Sequence, residues 1–152
     1  MRFHIFRGTP EYASILTDIT IAAKRHWNYP EKWIQLWIPE LTFSPEYIAE
    51  NEVWLAEVDD VIAAYYSLKQ DVEGLWLENL WVLPEYMGQG IGRQLFEHAL
   101  ERSRARGEPV LKIEADPNAQ SFYEKMGAQR VGQHQYELDS HLRILPIMEI
   151  NL

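Results

Sequence analysis

Apolar and polar positions change their period several times along the chain, and each change marks an element. Phe3 to Arg7 reads as a short strand. Thr9-Pro10-Glu11 opens a helix, with Thr9 placed to cap and Pro10 suited to the first helical position; Ile15, Ile19, Ala22 and Ala23 follow at helical spacing. A second helical segment starts at Pro30 and puts Trp33, Leu36 and Trp37 on one face, and Ser44-Pro45-Glu46 opens a short turn. From Val53 the pattern turns to strands: 53–58 and 61–69, joined at Asp59-Asp60, then 75–82.

Pro84 and the glycines at 88, 90 and 92 interrupt the chain before a helix whose apolar stripe is Ile91, Leu95, Phe96, Ala99 and Leu100 and which stops near Gly107. A strand over 110–115, a short helix over 117–126 closed by Gly127, and two strands over 130–138 and 142–150 complete the order. There are no repeats, linkers or low-complexity tracts. The expectation is a single α/β domain over residues 1–152, with helices early, an antiparallel run in the middle and a βαβ unit over 75–115.

Composition narrows the function. With 47% hydrophobic and 12% aromatic residues, a core forms without staples. The absence of cysteine excludes disulfides, thiolate metal ligands and a cysteine nucleophile, and it fits a reducing cytosol. The five histidines (4, 26, 98, 134 and 141) lack the paired spacing of a metal site, so no metal is expected. The start, Met1 to Arg7, has no apolar run suited to a signal peptide, and no stretch approaches the ~20 apolar residues of a membrane span. A cytoplasmic protein is expected. The oligomeric state is left open, a homodimer included.

The net charge of -9 argues against nucleic acid, because phosphate contacts need clustered Lys and Arg. Charge is uneven: residues 1–60 carry five basic and ten acidic side chains, whereas 86–112 carry five basic and three acidic ones. One reading is scattered solvated charge; the other is an anion held mid-chain and a cation admitted near the front.

The chemistry concentrates in the segment from Leu80, Trp81 and Val82 through Met87-Gly88-Gln89-Gly90-Ile91-Gly92-Arg93. It follows a strand and opens a helix, where unpaired N–H groups and the positive dipole end favour an anion. A dinucleotide fingerprint needs glycine at its sixth position, here Arg93, and a P-loop needs Gly-Lys-Ser or Gly-Lys-Thr, which is absent. A glycine-rich turn with no ligand is the bland alternative.

The segment resembles the pyrophosphate loop of the GNAT acetyltransferases, Arg/Gln-x-x-Gly-x-Gly/Ala, with Gly90 and Gly92 at the fixed positions and Met87 where the family usually has Arg or Gln. A second stretch, Asp116-Pro117-Asn118-Ala119-Gln120-Ser121-Phe122-Tyr123-Glu124-Lys125-Met126-Gly127, resembles the family's later motif. Together they span Glu73 to Gly132, in the family's order. The resemblance implies a mixed, mostly antiparallel sheet of about six or seven strands with about four helices, splayed to form a cofactor cleft.

It implies acetyl-CoA as cofactor, held by 80–82, 87–93, Asn118 and Tyr123. A backbone N–H near Val82 would polarise the thioester carbonyl, and Tyr123 would act as general acid. The family's Asn commonly lies seven residues before the Tyr; Asn118 lies five before. Phe122 reads as core.

Glu78, placed two strand periods before Val82 and so on the same face, is the candidate base; the alternative is a strand Glu paired with a basic neighbour or facing solvent. His26, Trp27 and Tyr29 are expected to line the acceptor pocket, and the acidic, aromatic front third to draw in a cationic amine, either a small molecule or a protein amino group. The rival is a non-catalytic acyl-CoA-binding module of the same fold. A hydrolase lacks its Gly-x-Ser-x-Gly elbow.

Overall fold

A computed structural model of the chain describes residues 2–152; Met1, counted in the expected domain, lies outside the described residues. Seven strands form one sheet in the order β1-β2-β3-β4-β5-β7-β6. The strands are β1 (Phe3–Arg7), β2 (Glu52–Val58), β3 (Val61–Asp71), β4 (Gly74–Val82), β5 (Val110–Glu114), β6 (Gln129–Leu138) and β7 (His141–Asn151). Five α-helices accompany them: α1 (Ala13–His26), α2 (Glu31–Leu41), α3 (Pro45–Glu50), α4 (Ile91–Ala105) and α5 (Gln120–Lys125). All pairings are antiparallel except β4 with β5, which α4 connects as the expected βαβ unit.

Two of the three tight hairpins are built from polar residues that tolerate a left-handed backbone. Asp59 and Asp60 both have positive φ (47° and 68°), as do Asp139 and Ser140 (49° and 62°), so each pair closes a turn whose twist matches its strands. At the front, Pro10–Tyr12 forms a 3-10 turn and Thr9 makes no side-chain cap, so α1 starts at Ala13, later than expected. In α2 the buried positions are Ile34 and Trp37, whereas Leu36 stands 48% exposed, so the expected face is rotated.

Each side of the sheet has its own core. Leu75, Leu77, Leu95, Phe96, Ile113 and Met148 pack together under α4. Leu16, Ile19, Leu55 and Tyr65 pack on the other side, beneath α1 and α3. Phe96 is fully buried, and its truncation to Ala would cost ~3–5 kcal/mol.

Two irregularities shape the centre. β4 and β5 pair only at Leu75↔Leu111, Trp76↔Lys112 and Leu77↔Ile113. Beyond that β4 stays with β3 as far as Val82↔Ala64 while β5 stays with β7, and the strands splay. Second, Ser67 pairs with Asn79 but Leu68 with Leu77, so Glu78 is an extra residue in β4. The bulge inverts the alternation. Leu75, Leu77, Leu80 and Val82 all serve the α4-side core, while Trp81 packs in the opposite one. Glu78 therefore does not share a face with Val82, as simple alternation had suggested: Tyr47 of α3 donates to it from the opposite side, at 2.6 Å.

Candidate active site

The splay opens a cleft of about 480 Å³. One wall is β4, from Leu77 to Val82; the other is Glu114 to Asn118 with Phe122 and Tyr123 of α5. Past Leu77 the β4 backbone has no partner on its β5 side, so alternate N–H and C=O groups face the opening. An extended chain bearing amides can pair there as an added strand.

The glycine loop closes one end. Pro84–Tyr86 makes a 3-10 turn, and the Met87 N–H donates back to the Pro84 carbonyl at 3.2 Å. The Met87 amide is thus spent on the turn, and the amides available to an anion start at Gly88. Gly88 and Gly90 have φ of 78° and 83°, a backbone that only glycine adopts without strain, and a Cβ at either would meet nothing within 4 Å. Gly90 caps α4 without a side-chain bond, so the first amides of the helix point outward at its positive end. Arg93 lines the same mouth and pairs with Glu97 at 3.1 Å, whereas the Gln89 side chain turns back to the Glu85 carbonyl and does not line the cleft.

Tyr123 is 5% exposed and lines the cleft between Phe96 and Phe122. Its hydroxyl makes no hydrogen bond among the described residues, and burial, with the Asp116 charge in support, pushes its pKa up. The group stays protonated and keeps its O–H for a partner in the cleft. Phe122, expected in the core, is half-buried and also lines the cleft.

On the opposite face of the sheet a broader groove runs beneath α2, over Leu145 and Ile147 of β7. Glu40, Asp71, Glu73, Glu78, Glu114 and Asp116 line it against Lys24, Lys69 and Lys112, leaving an excess of carboxylates. Of the ten acids in the front third only Glu40 takes part, so the negative field comes from the strand ends rather than the front of the chain.

The aromatic cluster also differs from expectation. Lys24 Nζ lies 5.3, 4.4 and 5.2 Å from the ring centres of Tyr29, Trp37 and Trp81, and the Arg143 guanidinium 4.9, 5.5 and 5.3 Å from Tyr29, Trp33 and Trp37. The protein's own cations already occupy these faces, so the box is not there to receive a cationic acceptor. Trp27 does line the cleft. His26 is exposed and packs on Trp27 at 4.9 Å, and Tyr29 sits behind the wall, so neither lines either cavity.

Asp116 organises this region and was not singled out by the sequence. Its carboxylate accepts from Lys24 Nζ (2.9 Å), the Tyr29 hydroxyl (3.0 Å) and the Asn118 backbone N–H (2.9 Å). Burial alone would raise its pKa, but the Lys24 charge and these donors outweigh it and hold the carboxyl below its ordinary value. Burial and the same carboxylate push Tyr29 up to about 12. Asn118 lines the cleft, but its amide donates to Tyr29 and Asp116. Asp116 is the residue seven before Tyr123, the spacing that could have found it.

The model of the Acetyltransferase (GNAT) family matches residues 14–128. An uncharacterised N-acetyltransferase of Lactobacillus delbrueckii subsp. lactis is 30% identical, the match covering 56% of this chain and 56% of the relative, so the chain spans little more than half of that protein. The peptidyl-lysine N-acetyltransferase YjaB of Salmonella typhimurium is 30% identical over 69% of this chain and 68% of its own. The PaiA N-acetyltransferase of Thermoplasma acidophilum, solved in complex with coenzyme A, shares the fold at 20% identity with a TM-score of 0.78, covering 100% of both chains.

Proposed function

Since this chain belongs to the GNAT acetyltransferase family, we propose that it transfers the acetyl group of acetyl-CoA to an amine. The observation that carries the reading is the meeting of two cavities through the splayed sheet: a cleft with an anion-binding mouth and a protonated tyrosine on one side, an acidic groove on the other.

The chain's residues divide the work. The amides from Gly88 to Arg93 at the start of α4 take the pyrophosphate, with Arg93 adding charge at the mouth. The unpartnered edge of β4 from Leu80 to Val82 pairs with the pantetheine amides, and an N–H near Val82 polarises the carbonyl. When bound, acetyl-CoA supplies the activated acyl group. Tyr123 holds its proton for the departing sulfur. Chemistry through a cysteine acyl-enzyme is excluded because the chain has none.

The acceptor is a primary amine that arrives as a cation, on a small molecule or on a protein. The acidic groove supports this through its field. The peptidyl-lysine activity in the Salmonella relative's name is one example of the class. The net charge of -9 weighs against nucleic acid, and the cysteine-free chain suits the reducing cytoplasm, where we place the activity. Every residue given a role here comes from one chain, so a homodimer is compatible with the reading and not required by it.

A panel of small amines and lysine peptides, followed by a thiol reagent that reads released CoA, tests the proposal. The protein has no thiol of its own to add background. Amine-dependent release supports the reading; tight acetyl-CoA binding with no release for any amine would favour a non-catalytic acyl-CoA-binding module instead.

A further inference from the structure

Six residues line both cavities and form the seam between them: Leu77, Glu78, Trp81, Glu114, Ala115 and Asp116. On the acetyl-transfer reading, an acceptor nitrogen must reach the thioester along this seam and must be neutral when it does, because an ammonium has no lone pair. A base is needed there. Three of the six are carboxylates, and their partners distinguish them.

Asp116 is bound by Lys24, Tyr29 and a backbone amide, and its carboxyl is held below the ordinary range, which makes it a poor proton acceptor. Glu78 accepts from the Tyr47 hydroxyl at 2.6 Å and has Lys69 Nζ at 3.9 Å, so its charge is already answered by protein groups. Glu114 has an imidazole as its partner: Nδ1 of His134 lies 2.8 Å from its Oε1. The pair spans β7 from β5 to β6, over the groove floor of Leu145 and Ile147, and both residues line the groove. A carboxylate on Nδ1 holds the N–H on that nitrogen and leaves the lone pair on Nε2 for the groove.

We propose that His134, oriented by Glu114, is the base that takes the acceptor's proton, in place of Glu78. The inference rests on the acetyl-transfer reading above. The acceptor R–NH3+ gives one proton to Nε2 of His134, and the electron pair of that N–H bond becomes the lone pair that forms the C–N bond. The imidazolium charge faces Glu114, and the proton leaves to solvent through the open groove. As the C–S bond breaks, sulfur takes the Tyr123 proton, and Tyr123 is reprotonated by the second proton lost from nitrogen. One proton is released per turnover.

Two readouts test this. Nitrogen NMR of protein labelled at histidine should show neutral His134 as the Nδ1–H tautomer, shifting toward Nε2–H in E114A. An Nε2–H tautomer in the wild type overturns the pair, whatever the acceptor. In kinetics with a capped lysine peptide and with benzylamine, read as acetylated amine, H134A should lose ~100-fold in turnover with an unchanged acetyl-CoA Kd. Added imidazole should restore part of that loss in H134A and none of any loss in E78Q. Full activity in H134A, or a loss that imidazole does not relieve, overturns the inference. Wild type that acetylates neither amine counts against the acetyl-transfer reading itself, and the tautomer measurement then still judges the pair.

Discussion

The Lys24 ammonium on α1 stands 2.9 Å from the Asp116 carboxylate just beyond β5, with the two side chains only 11% and 5% exposed. This pair ties the helical front of the chain to the turn that leads into α5 and Tyr123. Losing one partner of a buried pair leaves the other charge uncompensated, which costs ~3–5 kcal/mol. Lys24→Met should therefore lower the urea midpoint strongly. Adding Asp116→Asn should recover much of the loss, so the double variant is more stable than additivity predicts. Additive losses would show that the pair carries little coupling.

Acid stability follows from the same carboxylate. A group whose pKa is depressed on folding contributes stability that is present above its unfolded value and lost as pH falls through the folded one. For Asp116 that loss begins as pH drops toward 3.8 and continues below it. Glu52 adds to it from 4.5 downward: burial opposes its ionisation, but the Arg102 hydrogen bond, with Trp54 in support, outweighs that and keeps its pKa low. Urea midpoints measured from neutral pH into this range should fall steeply in the wild type and less steeply in the Lys24→Met/Asp116→Asn variant. Parallel curves would detach Asp116 from acid unfolding.

Tyr123→Phe removes one hydroxyl that has no hydrogen-bond partner among the described residues, so the fold should tolerate it. Turnover should drop by ~100-fold or more while the acetyl-CoA dissociation constant stays within a few-fold. Unchanged turnover would make Tyr123 a packing residue.

Gly90→Glu sets a negative side chain at the mouth of the cleft and forces a non-glycine residue to φ of 83°. Gly90→Ala isolates the strain, which costs ~1–2 kcal/mol. Calorimetric titration should show acetyl-CoA affinity falling at least tenfold in Gly90→Glu and much less in Gly90→Ala. Equal affinities would remove the pyrophosphate from this loop.

The order of elements was legible because period changes and turn residues act locally: the Asp59-Asp60 hairpin, the α4 stripe and the stop at Gly107 all follow from neighbouring residues. The glycine loop was legible for the same reason. What failed was long-range. The extra residue at Glu78 inverts which face of β4 each side chain meets, and nothing in Leu77-Glu78-Asn79 announces it, since it answers to pairing with β3. Lys24 and Arg143 fill the aromatic box from α1 and β7, 119 positions apart in sequence, so the box looked vacant along the chain. Glu114 and His134 likewise meet only through the register of β5, β7 and β6.

The most direct test of the central claim is a mass balance: acetyl-CoA consumed, CoA released and acetylated amine formed, measured together with the best acceptor from the panel. For acetyl transfer to the amine the three quantities should agree, and release without an amine should be slow. CoA release that does not depend on the amine and yields free acetate, or no release with any amine despite bound acetyl-CoA, would contradict it.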